Sequence, residues 1–172
     1  LETIVLDNPS VGNREELADL YLEDGQFARA RGHYDQILAK RSDSLDPFYR
    51  RGLAALAMED VAAALADLER VVSKDPKYDF YRAIGLLGDV YGRTDQPDKA
   101  ETAFRSATDI STLSETYYNY ATFLAARQRP AEARAWAERI LAKKPTMPRY
   151  LRRRERAWFR KAAALVKRLP AR

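Results

Sequence analysis

A pattern of small and large side chains that returns every 33 to 36 residues constrains this chain more than any other feature. Aligned on it, the copies start near Val11, Leu45, Tyr81 and Ser114. The eighth residue of each copy is small (Ala18, Gly52, Gly88, Ala121), and so is the twentieth (Ala30, Ala64, Ala100, Ala133). The twenty-fourth is large in three copies (Tyr34, Leu68, Phe104) and Ala137 in the fourth, where the neighbouring Trp136 offers compensation. Small residues let two helices approach closely, and the large one fills the space between helix pairs. Such a unit cannot bury its apolar face alone, so a stack of copies must supply the core.

Local signals divide each copy into two helices. Leu17, Leu20 and Tyr21 share one face of the first helix, and Phe27, Ala30, Tyr34, Ile37 and Leu38 follow on the second. Asp24-Gly25 breaks the first pair, and Asp95-Gln96-Pro97 and Gln128-Arg129-Pro130 mark later turns. Asn13-x-x-Glu16 has the form of a capping box, with Ser10 as the alternative N-cap. Asp46-Pro47 suits an N-cap followed by a first-turn proline. Residues 148–168 read as one further helix, with Leu151, Trp158, Ala162, Leu165 and Leu169 along one face and arginines over much of the rest.

Leu87-Gly88-x-x-Tyr91, Ala100-x-x-x-Phe104 and the prolines closing the copies resemble the tetratricopeptide repeat, a helix-turn-helix of about 34 residues. The first-helix Trp of that family is replaced here by Phe48, Ile84 and Tyr117. The resemblance implies an all-α, right-handed superhelical array of four hairpins, over residues 11–44, 45–80, 81–113 and 114–147. Residues 1–10 precede them as an arm or truncated helix, and residues 148–172 follow as a basic capping helix.

The resemblance further implies a concave groove lined by the first helices, which takes a peptide or helix of a partner protein. Carried over by repeat position, the groove residues include Glu15, Asp19, Tyr49, Leu53, Arg82, Gly85, Asp89, Gly92, Tyr118 and Thr122. Arg50, Arg82 and Asn119 are placed to meet an acidic group. Glu15, Asp19 and Glu23 form an acidic stripe at i, i+4, i+8, where like charges repel and a basic ligand would relieve them. Each of Gly85 and Gly92 weakens a helix by about 1 kcal/mol relative to Ala. With Tyr49 and Tyr118 they suggest a pocket of bare backbone and aromatic walls, against the alternative that a neighbouring helix packs on the glycines. The carboxylate clamp of some family members would place Lys and Asn where this chain has Glu15 and Asp19, which disfavours chaperone-tail binding.

Charge is divided between the ends. Residues 1–46 carry ten acidic and five basic side chains, whereas residues 148–172 carry ten basic ones against Glu155 alone. Arg152, Arg153, Arg156 and Arg160 form a candidate surface for an anionic partner, although a solvated cap accounts for them as well. No nucleic-acid motif accompanies them, so no specific nucleic acid is expected.

The chain has no Cys and a single His, His33, which removes thiol chemistry and the common zinc sites. No phosphate loop or nucleophile constellation is present. The sequence therefore implies no cofactor, no metal and no enzyme. It points to an interaction scaffold, monomeric or weakly self-associating, with a structural module that assembles or docks membrane machinery through its charged ends as the alternative. A start at Leu1 instead of Met suggests an excised piece, and an upstream membrane segment is one expectation.

Overall fold

The computed structural model describes residues 2–3 and 10–170. The expected arm over residues 1–10 therefore lies mostly outside the described residues. Those residues form α-helices joined by short turns, without strands. They fall into two compact units, residues 1–78 and 79–172.

The first unit contains two helix pairs: α1 (Val11–Glu23) with α2 (Phe27–Leu38), and α3 (Leu45–Ala57) with α4 (Val61–Lys74). Ser10, not Asn13, caps α1, because its hydroxyl accepts the Asn13 N–H at 3.2 Å. Helix α3 starts two residues earlier than an Asp46 cap would place it, after Ser44. Asp46 instead lies in the first turn, where its carboxylate accepts from Arg50 Nε and from the Tyr78 hydroxyl, both at 2.7 Å. Leu17, Ala18, Tyr21, Ala30, Tyr34 and Ile37 pack into one core cluster between α1 and α2.

The second unit holds α5 (Arg82–Arg93) with α6 (Pro97–Thr108), and α7 (Ser114–Ala126) with α8 (Pro130–Ala142). The close approach foreseen at the small positions is real. A methyl group on Gly88 would sit 3.0 Å from the Phe104 ring, and one on Gly52, in the first unit, 3.4 Å from Asp67 Cβ. Where the fourth copy has Ala137, Trp136 packs against Tyr117 and Tyr120, with ring centroids 5.0 and 5.1 Å apart.

One turn geometry closes all four pairs. The fifteenth residue of each copy (Gly25, Glu59, Asp95, Gln128) has positive φ, between 55° and 76°. The next amide bonds back to the carbonyl five residues earlier: Gln26 to Tyr21, Asp60 to Ala55, Gln96 to Tyr91 and Arg129 to Leu124, at 2.8 to 3.0 Å. This is the Schellman closure of a helix end. Only the first copy uses glycine; the other three place an ordinary side chain in the left-handed region.

The segment Asp79, Phe80 and Tyr81 is left-handed throughout, with φ of 49°, 52° and 65°. It immediately precedes α5, and Arg82 N–H closes a turn onto the Asp79 carbonyl at 2.9 Å.

The expected single helix over 148–168 is two: α9 (Arg149–Arg154) and α10 (Arg156–Arg168). Glu155 interrupts them at ψ −2°. The reason is burial. Helix α9 has no buried residue, so no core contact holds it in line with α10, whereas α10 buries Phe159, Ala162 and Leu165 against α7 and α8. Phe159, not Trp158, is thus the central anchor. Arg134 on α8 locks the far end of α10. One guanidinium nitrogen donates to the carbonyls of Val166, Leu169 and Pro170 at 3.0, 2.8 and 2.9 Å, satisfying acceptors that a helix end leaves open.

Arginine–carboxylate forks stiffen both units. Arg51 donates to both oxygens of Asp67 at 2.9 and 2.7 Å, and to Asp35 at 2.6 Å, joining α2, α3 and α4. Arg129 grips Glu101 of α6 and Glu132 of α8 with both oxygens of each. His33 stacks on Tyr21 with centroids 5.4 Å apart, and Arg14 Nη1 lies 3.4 Å from its Nδ1. Burial, then the Arg14 charge, hold the imidazole below its ordinary 6.5.

Four outcomes follow. Replacing Gln128 by Gly relieves the left-handed backbone and stabilises the protein by about 1 kcal/mol, read from urea unfolding. Arg51→Met strands the Asp67 carboxylate, only 4% exposed, and destabilises by roughly 3 kcal/mol. Arg31→Met, at the half-exposed pair with Asp60, changes stability by less than about 1 kcal/mol in the same assay. Because the folded His33 resists protonation, the unfolded chain binds more protons below pH 6.5. Stability therefore falls as pH drops from there through the lowered folded value, and His33→Gln flattens that slope in unfolding at about pH 7.5 and about pH 5.5.

Candidate functional site

Helices α5 and α7, the first helices of the third and fourth copies, lie side by side in the second unit. A cleft of about 190 Å³ opens between them. Asp89 and Gly92 of α5 and Thr122 of α7, three of the residues foreseen from sequence, line it together. Arg93, Phe123, Ala126 and Arg127 complete the lining and were not foreseen. Three of them follow foreseen residues by one helical turn, Arg93 after Asp89, Phe123 after Asn119 and Ala126 after Thr122, so the i, i+4 spacing would have found them.

The cleft has an apolar centre and a charged border. Gly92 presents backbone, and the Phe123 ring rests so near that a methyl group there would come within 2.9 Å. The Arg127 guanidinium carbon stands over the Phe123 ring, 5.8 Å from its centroid, and Arg127 pairs with Asp95 at 3.0 Å. Asp89 and Arg93 face each other at 3.7 Å. The Thr122 hydroxyl donates to the Asn119 carbonyl at 2.8 Å. The volume falls below the roughly 300 Å³ of ordinary small-molecule sites, and suits one apolar side chain of a peptide.

Several foreseen residues have other duties. Gly85 is not a pocket floor: Thr116 covers it, and an added Cβ would lie 2.6 Å from the threonine Oγ1. Its missing side chain admits α7, the packing alternative. Gly92 combines both roles, since Phe123 covers it partly and the cleft reaches the rest. Tyr49 is no open wall either. It is 5% exposed, with its ring 5.0 Å from Tyr78. Tyr118 is half-buried beside Trp158 of α10 at 5.8 Å, with Lys161 Nζ 5.6 Å from its ring.

The middle residue of the acidic stripe already has partners within the chain. Asp19 pairs with Arg50 at 3.2 Å and accepts the Tyr34 hydroxyl at 2.7 Å. That bond, after burial, pushes the Tyr34 phenol far above its ordinary range. Arg50 is spent on Asp19 and Asp46, and Arg82 on Glu115 at 2.5 Å, so neither stands open to an acidic group. Glu15, Leu53 and Asn119 are half-buried.

Arg152, Arg153, Arg156 and Arg160 all border a second, larger cleft of about 610 Å³ at the C-terminal end of the second unit. Among the described residues no group of three or more His, Asp or Glu side chains is arranged to hold a metal ion. No described helix is long and apolar enough to cross a membrane.

Known proteins share this architecture. The crystal structure of MamA superposes with a TM-score of 0.71 at 20% identity, covering 84% of this chain and 85% of that one. A tetratricopeptide repeat protein from Parabacteroides merdae gives 0.74 at 14% identity, over 95% of this chain and 62% of its own. A crystal structure of nearly identical TPR-like repeats from Podosopora anserina, named for kinesin light chain, gives 0.64 at 17% identity, over 90% of this chain and 94% of its own. At these identities the likeness concerns the fold. Comparison of the sequence with curated proteins gives no match. The family description "Tetratricopeptide repeat" matches three overlapping stretches, residues 15–79, 49–115 and 86–148. Proteins built this way generally mediate protein–protein interactions and are typically non-catalytic scaffolds. With the small–large pattern, the shared Schellman turns and these matches in agreement, the chain belongs to the tetratricopeptide repeat family.

Proposed function

We propose that this chain is a non-catalytic scaffold that holds a peptide or helix of a partner protein against its first helices. In this reading the α5–α7 cleft anchors one apolar side chain of the ligand. The carrying observation is that Asp89, Gly92 and Thr122 converge on an apolar depression bordered by Arg93 and Arg127. A peptide lying across it buries a side chain on Phe123 and Ala126 and leaves its polar backbone to the charged border. That division of labour, an apolar centre with a polar rim, is the usual anatomy of a protein interface.

The test compares two faces of the second unit. A photo-crosslinking residue at Ala126, in the cleft, captures a discrete partner from the source cell lysate, whereas one at Ser106, exposed on α6, does not. Ala126→Trp fills the cleft and lowers the affinity of that partner at least about tenfold, or roughly 1.4 kcal/mol, with an unchanged melting temperature. Equal capture from both positions, or full affinity in the filled variant, sinks the reading.

A further inference from the structure

The break at Glu155 creates something that a continuous helix would not. Short α9 and the start of α10 border one cleft, together with the end of α8. Leu141, Phe159 and Ala163 form its floor, and Phe159 is only 6% exposed. Lys144, Arg149, Arg152, Arg153, Arg156 and Arg160 form its rim, and all six are exposed. The lining includes no acidic side chain. Glu155 is half-buried at the break and does not reach the cleft.

What sets these cations apart is that they gather around one depression without partners. Six arginines elsewhere, Arg31, Arg50, Arg51, Arg82, Arg127 and Arg129, each have a carboxylate oxygen within 3.2 Å. Among the described residues, none of the six rim cations forms an ion pair. A solvated cap requires charge, but not charge of one sign. Like charges gathered around one depression repel each other and destabilise the compact state. A concentrated positive field over an apolar floor is what an acidic, partly apolar ligand would complement.

We propose that the C-terminal cap is a second docking site, for an acidic segment of a partner protein that inserts a bulky apolar side chain. Carboxylates of the segment meet the arginine rim, where each guanidinium fork donates to two oxygens at a time. The apolar side chain reaches Phe159, Leu141 and Ala163. Concavity favours a protein segment over a membrane: a flat lipid surface touches the rim but leaves the floor unfilled. The apolar floor also distinguishes this ligand from a nucleic acid backbone, which offers charge alone. The site shares no residue with the α5–α7 cleft and stands or falls independently of it.

The experiment uses the full chain and a fluorescein-labelled, glutamate-rich helical peptide carrying Phe and Leu one turn apart, read by fluorescence anisotropy at about 0.1 M salt. The peptide is expected to bind, and its Phe,Leu→Ala version to bind at least about tenfold more weakly. Arg153→Glu with Arg156→Glu, both on exposed positions, abolishes binding with the far-ultraviolet spectrum and melting temperature unchanged. Ala163→Trp, which fills the floor and keeps every charge, weakens it at least about tenfold. Equal binding of the Phe,Leu→Ala peptide would falsify the proposal by reducing the surface to charge alone. Tighter binding of phosphatidylserine vesicles or of a thymidine oligonucleotide than of the peptide would overturn it too, as would a charge-reversed variant that is folded and binds normally.

Discussion

The structure depends on two helices coming close enough for the α-carbon of Gly88 to rest against the ring of Phe104. That contact places one large side chain in the hollow left by one absent side chain. The same arrangement recurs where Leu68 packs on Gly52. Protein interiors leave little room for a methyl group to be added or lost. A close contact of this kind therefore sets the distance between paired helices and, through it, where the next pair can pack. In the fourth copy Ala137 lies in one core cluster with Ala121, Phe159 and Ala162, and the neighbouring Trp136 packs on Tyr117 and Tyr120.

Charge works differently in the helix pairs and in the cap. Among the pairs, arginines join helices that are distant in sequence: Arg51 binds Asp35 and Asp67, and Arg129 binds Glu101 and Glu132. These forks hold a geometry that apolar packing alone would leave looser. In the cap the arginines project around a cleft and bind no carboxylate among the described residues. One residue type thus serves as internal fastening over most of the chain and as surface at its end. Composition alone does not separate the two uses, because both give the same count of basic residues.

Much of the fold was legible because its cause is local or periodic. The small residues at Ala18, Gly52, Gly88 and Ala121 and the turns near Gly25, Asp95 and Gln128 show in sequence, since spacing alone places them on one face or at one break. The site was harder to read because it depends on which helix covers which. Gly85 and Gly92 look alike in sequence, yet Thr116 closes the first and a cleft reaches the second. Tyr49 and Tyr118 match the family's groove positions, yet Tyr78 and Trp158 cover them. Asp19 and Arg50 stand 31 residues apart, and no local rule pairs them. The break at Glu155 was hidden because the apolar pattern of residues 148–168 runs on through it. Burial, which begins only at Phe159, decides the outcome.

The turn that closes each helix pair has a consequence for how such a chain can change. Its geometry comes from a backbone bond across five residues, and four different side chains (Gly25, Glu59, Asp95, Gln128) occupy its left-handed position, all of them exposed. The side chain there touches no core, so mutation at these points is nearly silent for packing. Each copy thus carries a built-in variable site, open to new charge, to modification or to an inserted loop, while the helices on either side keep their spacing.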